Sequence, residues 1–465
     1  MELQESGLLT TYTVYDNYRV DIVREGNGIF YVLNGPEYSA EERRCISEVR
    51  KRYTAFLRSS SGMEDGRKVI DDLIMGVAAN GRIRPQLVRQ RLLMEFFEYG
   101  DITPIFHDPN VEDISCNGPG RHVYVYHSSY GSLKTNLVLS QEQVDSLVIR
   151  FATLSGSDVS MRRPILDGVT HGGHRVQAIY GREISPLGSC FTVRVFRERP
   201  LTPVDLMQRG TVSEDILVYL WYMVQMGRSA VIAGPPASGK TTLLNSILMF
   251  VPENTKVFSI EESREIRIEH PDWVPSVVRR TGLVSDAGVR QYELFDLVKI
   301  AMRQRPTYIV LGEIRGRESY AIFQAMSTGH TSYTTIHAES MENLVHRLEG
   351  EPHRIPRAMM LSMDTVVFVN FSGNRRVVTS IYETVDIDPS DSSLIVNRVF
   401  SLDKQSGRHV FHGRSVLYRV VEEKLGRERF AGDMERKRQV LREAFSSGVS
   451  DYRRFMEMVR NASTS

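Results

Sequence analysis

The sequence predicts an α/β fold, with a largely parallel sheet and helices on both of its faces in the C-terminal part. Short, largely apolar runs recur there and have the length of buried strands. Helical stretches separate several of these runs, and the first run leads into a glycine-rich loop that a helical stretch follows. Such alternation is typical of parallel strands joined by helical crossovers. The predicted strands are 229–233, 256–260, 308–311, 332–336 and 365–369.

The N-terminal part has a mixed pattern of shorter elements. The two prolines and three charges of RERPLTP, residues 197–203, predict a linker after it. Because a chain of this length exceeds one ordinary core, we expect several domains. They are a mixed, largely helical region at 1–100, a second, smaller α/β domain at 101–197, a linker at 198–204 and a larger α/β domain with C-terminal helices at 205–465.

Composition and charge exclude several classes of protein. The chain has 465 residues, and its 58 Lys and Arg residues balance 57 Asp and Glu residues, leaving a formal net charge of +1. A dedicated nucleic-acid binder usually carries a basic excess, so we expect no nucleic-acid partner. The cysteines Cys45, Cys116 and Cys190 form no C-x-x-C pair and predict neither a zinc knuckle nor a disulfide framework. We expect no signal peptide, because the start MELQESGLL has no basic region followed by an apolar core. We expect no membrane span either, because no apolar run reaches roughly 18 residues.

The loop GPPASGKTT, residues 234–242, has the pattern G-x-x-x-x-G-K-[ST] between a predicted strand and a predicted helix at 242–250. Its glycines let backbone N–H groups turn toward phosphate oxygens, and the positive end of the helix points at the same oxygens. Lys240 supplies a cation for the β- and γ-phosphates, and Thr241 supplies a hydroxyl for Mg²⁺. The predicted nucleotide-binding residues are Gly234, Pro235, Pro236, Ala237, Ser238, Gly239, Lys240, Thr241 and Thr242.

Two predicted strands lead into acidic clusters, at SIEESREI and at LGEIRGRE. Because the carboxyl ends of parallel strands share one edge of a sheet, both clusters are expected to face the glycine-rich loop. Phosphoryl transfer needs a carboxylate near Mg²⁺ and a group that orients water. Glu261 and Glu313 are the strongest candidates, since each follows an apolar run or its glycine. Solvated strand ends are the alternative interpretation.

Two histidines, His330 and His337, lie in the Ser- and Thr-rich segment STGHTSYTTIHAES. Their position after an acid-ended strand predicts a role in sensing phosphate or in relaying a conformational change. A zinc site is a weaker alternative, because no third ligand stands nearby at a regular spacing.

Taken together, four motifs in order resemble those of a known family. The motifs are GPPASGKTT, SIEESREI, LGEIRGRE and STGHTSYTTIHAES. The chain resembles the secretion ATPases that power type II secretion, type IV pili, conjugative type IV secretion and the archaellum. The resemblance covers about residues 100–440, including the upstream stretch PILDGVTHGGHRVQAIYGREISPLGSCFTVRVF, and its wording is closest to the archaeal branch.

The resemblance implies a fold, a reaction and roles for individual residues. The fold would be a RecA-like P-loop NTPase domain joined by a flexible linker to a smaller N-terminal α/β domain, and the cofactors would be ATP and Mg²⁺. Lys240 and Thr241 would bind phosphate and Mg²⁺, and Glu261 would polarise water as general base. Glu313 would position Mg²⁺ through water or position the attacking water itself. His330 and His337 would contact the γ-phosphate region.

The resemblance also implies partners. Six copies would form a ring, and arginines of the N-terminal domain would reach the nucleotide; Arg162, Arg175 and Arg194 are the candidates, since the arginine fork suits bidentate phosphate contact. The ring would act on a polytopic membrane platform protein from the cytoplasmic face of the membrane, with an accessory ATP-binding protein as a further expected partner.

The chain departs from the family pattern in two places. The acidic box reads Glu261-Glu262 where Glu-Asp is usual, and the four-cysteine zinc module of many bacterial members is absent from the sequence. Two alternatives to a secretion or filament motor stay open at this point. One is a nucleic-acid translocase, because related hexamers thread strands, and the other is a nucleotide-gated scaffold that does not hydrolyse ATP.

Overall fold

The computed structural model divides the chain into two compact units, Met1–Phe196 and Arg197–Ser465. Each unit contains its own nine-stranded sheet. The structure describes residues 7–59, 65–78, 83–196, 200–278, 292–373, 375–449 and 451–463. Residues 198 and 199 of the predicted linker, 198–204, lie outside the described residues.

The first unit is built on a mainly antiparallel sheet with the strand order β1-β2-β3-β6-β5-β4-β9-β8-β7. The pair β3–β6 is parallel. Strands from both sides of residue 100 therefore share one sheet. The strands are β1 (Gly7–Tyr15), β2 (Tyr18–Glu25), β3 (Gly28–Asn34), β4 (Val111–Cys116), β5 (His122–His127), β6 (Gly131–Val138), β7 (Ile165–Val169), β8 (Arg175–Ile179) and β9 (Cys190–Arg194).

Helices of the first unit pack in two places. The first three helices enclose a small apolar core of their own, which includes Val49, Ile70 and Val88. The fifth helix places Val148 and Phe151 against the core of the sheet, and it begins with a capping box at Ser140. The helices are α1 (Ala40–Ser59), α2 (Gly66–Ala78), α3 (Pro85–Phe97), α4 (Thr103–Phe106) and α5 (Gln141–Leu154).

The second unit has the strand order β12-β11-β13-β14-β10-β15-β16-β17-β18. The six strands from β12 to β15 in this order pair in parallel, and the last three pair antiparallel. The strands are β10 (Ala230–Ala233), β11 (Val257–Glu261), β12 (Trp273–Val277), β13 (Tyr308–Leu311), β14 (Thr331–Ile336), β15 (Thr365–Ser372), β16 (Arg375–Ile387), β17 (Leu394–Leu402) and β18 (His409–Phe411).

Both faces of the parallel part are covered by apolar cores. Along β10, Ala230 and Ile232 belong to one core, while Val231 and Ala233 belong to the other. This division follows from the two-residue period of a strand. Parallel sheets buried on both faces are typical of α/β proteins, so the predicted α/β class is confirmed. The helices are α6 (Pro203–Gln208), α7 (Glu214–Gln225), α8 (Lys240–Ile247), α9 (Leu294–Arg303), α10 (Glu318–Ser327), α11 (Met341–Glu349), α12 (Arg357–Met360), α13 (Val416–Leu425), α14 (Arg427–Ser446) and α15 (Tyr452–Ser463).

Candidate functional site

The glycine-rich loop joins the end of β10 to the start of α8 at the carboxyl edge of the parallel sheet. A Cβ at Gly234 would lie 2.1 Å from the Val369 carbonyl oxygen and 2.7 Å from Ser238 Oγ, so only glycine fits there. Gly239 has a φ of +93°, which favours glycine, and Ala237 has a φ of +59°. The sequence therefore allows a tight loop whose backbone curls back on itself before the helix begins.

This loop has the features of a phosphate cradle. It ends at the N-terminus of α8, where backbone N–H groups without helical partners carry a positive partial charge. Ser238 Oγ is buried, and among the described residues it has no hydrogen-bond partner. Lys240 contributes the cation. The donor set is therefore that of a polyphosphate site, and a nucleotide with its Mg²⁺ fits the residues present.

Lys240 connects the loop to the predicted histidine and acidic motifs. Its Nζ donates to the carbonyls of Gly234 and Pro235, at 3.1 and 2.9 Å, and lies 3.1 Å from Nδ1 of His337. Nε2 of His337 lies 2.8 Å from Oε1 of Glu313. Nδ1 of His337 also lies 3.3 Å from the Gly234 carbonyl. An ammonium can only donate and Lys240 is the nearer partner, so we assign Nδ1 as the acceptor and place the ring proton on Nε2.

Electrostatics agree with this assignment. Burial lowers the pKa of His337, and the neighbouring Lys240 charge lowers it further, which keeps the imidazole neutral at neutral pH. Burial also lowers the pKa of Lys240 to about 8, an effect that the Glu313 charge opposes. The lysine therefore stays a cation at pH 7, next to a neutral imidazole.

Other residues of the loop after β13 hold the Glu313 side chain in place. Nη2 of Arg315 lies 2.5 Å from Oε2 of Glu313, and its Nη1 lies 3.7 Å from Glu262. The buried Glu318 accepts from the backbone N–H groups of Arg315 and Gly316, both at 2.6 Å. These contacts fix the turn that carries Glu313, so its carboxylate is preorganised rather than free to swing.

Glu261 lies at the end of β11 and packs against the neighbouring strand end. A Cβ at Gly312 would lie 3.4 Å from Cγ of Glu261. Oε1 of Glu261 accepts from the backbone N–H groups of Glu265 and Ile266, at 2.8 and 2.7 Å, whereas Oε2 is buried and has no partner among the described residues. Burial raises the pKa of Glu261 to about 7. A carboxylate with this pKa and one unengaged oxygen suits a general base.

Asn245, on α8, ties the acidic loop to the helix of the phosphate cradle. Its Nδ2 donates to the carbonyl of Glu265 at 2.8 Å, and its Oδ1 accepts from the N–H of Arg267 at 2.9 Å. Lys240, His337, Glu313 and Glu261 thus come together at one edge, as expected for carboxyl ends of parallel strands.

The structure does not bring His330 to this edge. His330 immediately precedes β14 and His337 immediately follows it, so the two histidines lie on the order of 20 Å apart at opposite ends of the strand. They cannot share one zinc ion. The described part of the chain contains no group of three or more His, Cys, Asp or Glu side chains placed to hold a metal ion. A γ-phosphate contact from His330 to the site of its own chain is not supported by this placement.

The three candidate arginines belong to the first unit. Arg175 and Arg194 face each other on β8 and β9. Arg194 pairs with Asp113 at 3.3 Å, and Arg175 lies 3.8 Å from Asp167. Arg162 is exposed in the turn before β7. The role of these three arginines at the nucleotide stays a prediction.

Sequence reasoning placed Glu318 in the second acidic cluster but missed the supporting residues Arg315 and Asn245. A signal for Arg315 was present, because a cation two residues after Glu313 is a suitable ion-pair partner for its carboxylate. Asn245 gave no signal, since its contacts come from a loop about 20 residues downstream.

The family described as Type II/IV secretion system protein matches residues 184–367. The uncharacterized protein MJ1287 of Methanocaldococcus jannaschii is 38% identical over 230 residues, which cover 48% of this chain and 83% of the relative. The chain belongs to the type II/IV secretion system protein family. Its membership confirms the predicted secretion ATPase superfamily.

Two further relatives extend this result. The uncharacterized protein MJ0900 of the same organism is 34% identical over 372 residues, 77% of this secretion-family chain and 66% of the relative. This chain therefore spans about two thirds of that relative's length. The type IV secretion system protein VirB11 of Brucella suis is 28% identical over 317 residues, 59% of this chain and 85% of the relative. The two Methanocaldococcus relatives agree with the predicted closeness to the archaeal branch. Among the described residues, no helix combines the length and apolarity needed to cross a membrane.

Proposed function

We propose that this secretion-family protein hydrolyses ATP at the edge formed by Lys240, His337, Glu313 and Glu261. The main observation in support is that a continuous set of contacts joins the phosphate cradle to two carboxylates at strand ends. Membership of the type II/IV secretion family supports the same reaction. Hydrolysis needs both parts of the site, because the glycine-rich loop binds phosphate and the two carboxylates act on the attacking water.

The chain's residues have separable tasks in this proposal. Mg²⁺ would be held by the Thr241 hydroxyl and, through water, by Glu313, and when bound it neutralises negative charge on the phosphates. Lys240 holds the β- and γ-phosphates. Glu261 accepts the proton of the attacking water, since its pKa of about 7 permits both protonation states near neutral pH. Glu313 and the neutral His337 orient that water and respond to the γ-phosphate.

We further propose that hydrolysis drives movement of the two units and powers a pilus-like filament or protein secretion through a membrane platform protein. The family match supports secretion or filament assembly as the class of work, and VirB11 is by name a type IV secretion system protein. The protein would act at the cytoplasmic face of the membrane, with ATP and Mg²⁺ as cofactors and an accessory ATP-binding protein as a further partner. Nucleotide would hold the units closed, and hydrolysis would release them.

Glu313→Gln tests hydrolysis. We expect phosphate release to fall about 10²- to 10³-fold, because the amide cannot hold Arg315 and His337 as the carboxylate does, while ATP affinity stays within a few-fold. Phosphate release and nucleotide titration measure the two effects. Glu342→Gln, at an exposed position on α11, is the matched control and is expected to hydrolyse ATP as the native chain does. Equal, background rates in the native chain and in Glu313→Gln would favour a nucleotide-gated scaffold instead.

The proposed ring is tested separately. We expect six copies to assemble when a non-hydrolysable ATP analogue occupies the site, as the resemblance to the secretion ATPases implies. Negative-stain imaging with and without the analogue measures the assembly. A monomer that persists at high protein concentration with the analogue would contradict the ring.

A further inference from the structure

The phosphate cradle has a second wall, on the side of β10 away from β14. Strand β10 pairs with β14 on one side and with β15 on the other. The carbonyl of Val369 on β15 touches the loop so closely that Gly234 cannot carry a side chain. Beyond β15 the chain turns back into β16, where Arg376 pairs in register with Phe371. This hairpin is therefore part of the surroundings of the loop.

Arg376 lies directly against the last glycine of the loop. A Cβ at Gly239 would lie 3.4 Å from Cδ of Arg376. The guanidinium begins one bond beyond Cδ, so its charged group lies within a few ångströms of the loop backbone. The Arg376 side chain is half-buried. The neighbouring Arg375 is exposed, and its side chain lies near Gly210 instead of near the loop. A Cβ at Gly210 would lie 3.5 Å from Nη1 of Arg375.

We infer that Arg376 binds the α- and β-phosphates of the nucleotide from within the same chain. This inference rests on the proposed function. Lys240, His337 and Glu313 occupy the β14 side of the loop, where the γ-phosphate is expected. Arg376 lies on the β15–β16 side, at the glycine that precedes Lys240, so a polyphosphate held in the loop would extend toward it. An arginine fork can bond two phosphate oxygens at once, and a charge this close strengthens the binding of any nucleoside diphosphate.

Arg376→Gln tests the inference with least disturbance, because glutamine keeps much of the aliphatic stem and removes the charge. We expect the Kd for ADP and for GDP to rise alike, by about ten- to a hundredfold, and the Kd for ATP to rise by the same factor. Arg376→Lys is expected to recover part of the loss, since it restores the charge without the fork. Arg375→Ala is the matched control on the same strand. Its Kd values for ADP, GDP and ATP are expected to stay within twofold of those of the native chain. Isothermal titration calorimetry on the full chain gives all of these values.

Three results would overturn the inference. Native affinity for ADP in Arg376→Gln would remove Arg376 from the site while leaving the proposed function intact. A loss for ADP without an equal loss for GDP would assign Arg376 to the base rather than to phosphate. Absence of binding of any nucleotide to the native chain would overturn both the inference and the proposed function. Thermal unfolding of Arg376→Gln and Arg376→Lys is the folding control. Unfolding temperatures equal to that of the native chain would show that weaker binding comes from the lost phosphate contact and not from a loss of folded structure.

Discussion

Glu261→Gln is expected to lower the rate of phosphate release by at least about a thousandfold, while making the protein more stable at pH 8. Glutamine keeps the acceptor oxygen that receives the two backbone N–H groups of Glu265 and Ile266, so the local fold persists. It cannot accept a proton from water. ATP binding should therefore survive and hydrolysis should not.

The gain in stability follows from the pKa of Glu261, which burial raises from 4.5 to about 7. Between these values the native state binds a proton that the unfolded chain has released, so stability falls as the pH rises from 4.5 to 7. A pKa shift of this size lowers the free energy of unfolding above pH 7 by on the order of 3 kcal/mol. Because the glutamine N–H₂ would be buried without a described acceptor, we expect a net gain of about 1–2 kcal/mol at pH 8 and none toward pH 4.5.

Urea unfolding at pH 8 and at pH 5 measures this difference, and a phosphate-release assay measures the reaction. Glu262→Gln is the matched control for stability: its side chain is adjacent but more exposed, and its ion pair with Arg315 is 3.7 Å long. We expect its free energy of unfolding to change by less than about 0.5 kcal/mol. A Glu261→Gln protein that is destabilised at pH 8, or one that still releases phosphate at the native rate, would contradict the assignment of Glu261 as a buried general base.

The parallel strands were predictable because their residues are buried on both faces. Strand β13 occupies Tyr308–Leu311, as predicted, since an uninterrupted apolar run leaves little choice of conformation. The prediction did not include β12, a peripheral strand at Trp273–Val277 that contains a proline and no apolar run. It also did not include the antiparallel strands β16–β18, whose pattern is mixed because only part of each is covered.

The site was predictable to the extent that its chemistry lies in local motifs. Lys240, Glu261, Glu313 and His337 follow strands whose carboxyl ends meet at one edge, so topology brings them together. His330 was grouped with His337 because both stand in one Thr-rich segment, but that segment is itself a strand, and its length separates the two. Contacts that depend on how distant loops fold, such as those of Asn245, give no local pattern.

Lys240→Ala is expected to reduce the affinity for both ATP and ADP by at least about a hundredfold, because it removes the only side-chain cation that points into the loop from α8. The native Nζ is held by the carbonyls of Gly234 and Pro235 and by Nδ1 of His337, so the charge is already in place before nucleotide arrives. Fluorescent nucleotide titration measures the loss. Lys424→Ala, at an exposed position near the end of α13, is the control and is expected to bind nucleotide as the native chain does.

Lys240→Met separates the charge from the side-chain volume and tests the energetic cost of the buried cation. Burial lowers the pKa of Lys240 from 10.5 to about 8, so between these values the unfolded chain binds the proton that the native state has lost. The native chain should therefore gain stability relative to Lys240→Met as the pH rises from 8 to 10.5. Below pH 8 the cost is fully present, and Lys240→Met should be at least as stable as the native chain while binding nucleotide as poorly as Lys240→Ala. Native ATP affinity in a folded Lys240→Met protein would remove Lys240 from the site and, with it, the point at which the loop, His337 and Glu313 are joined.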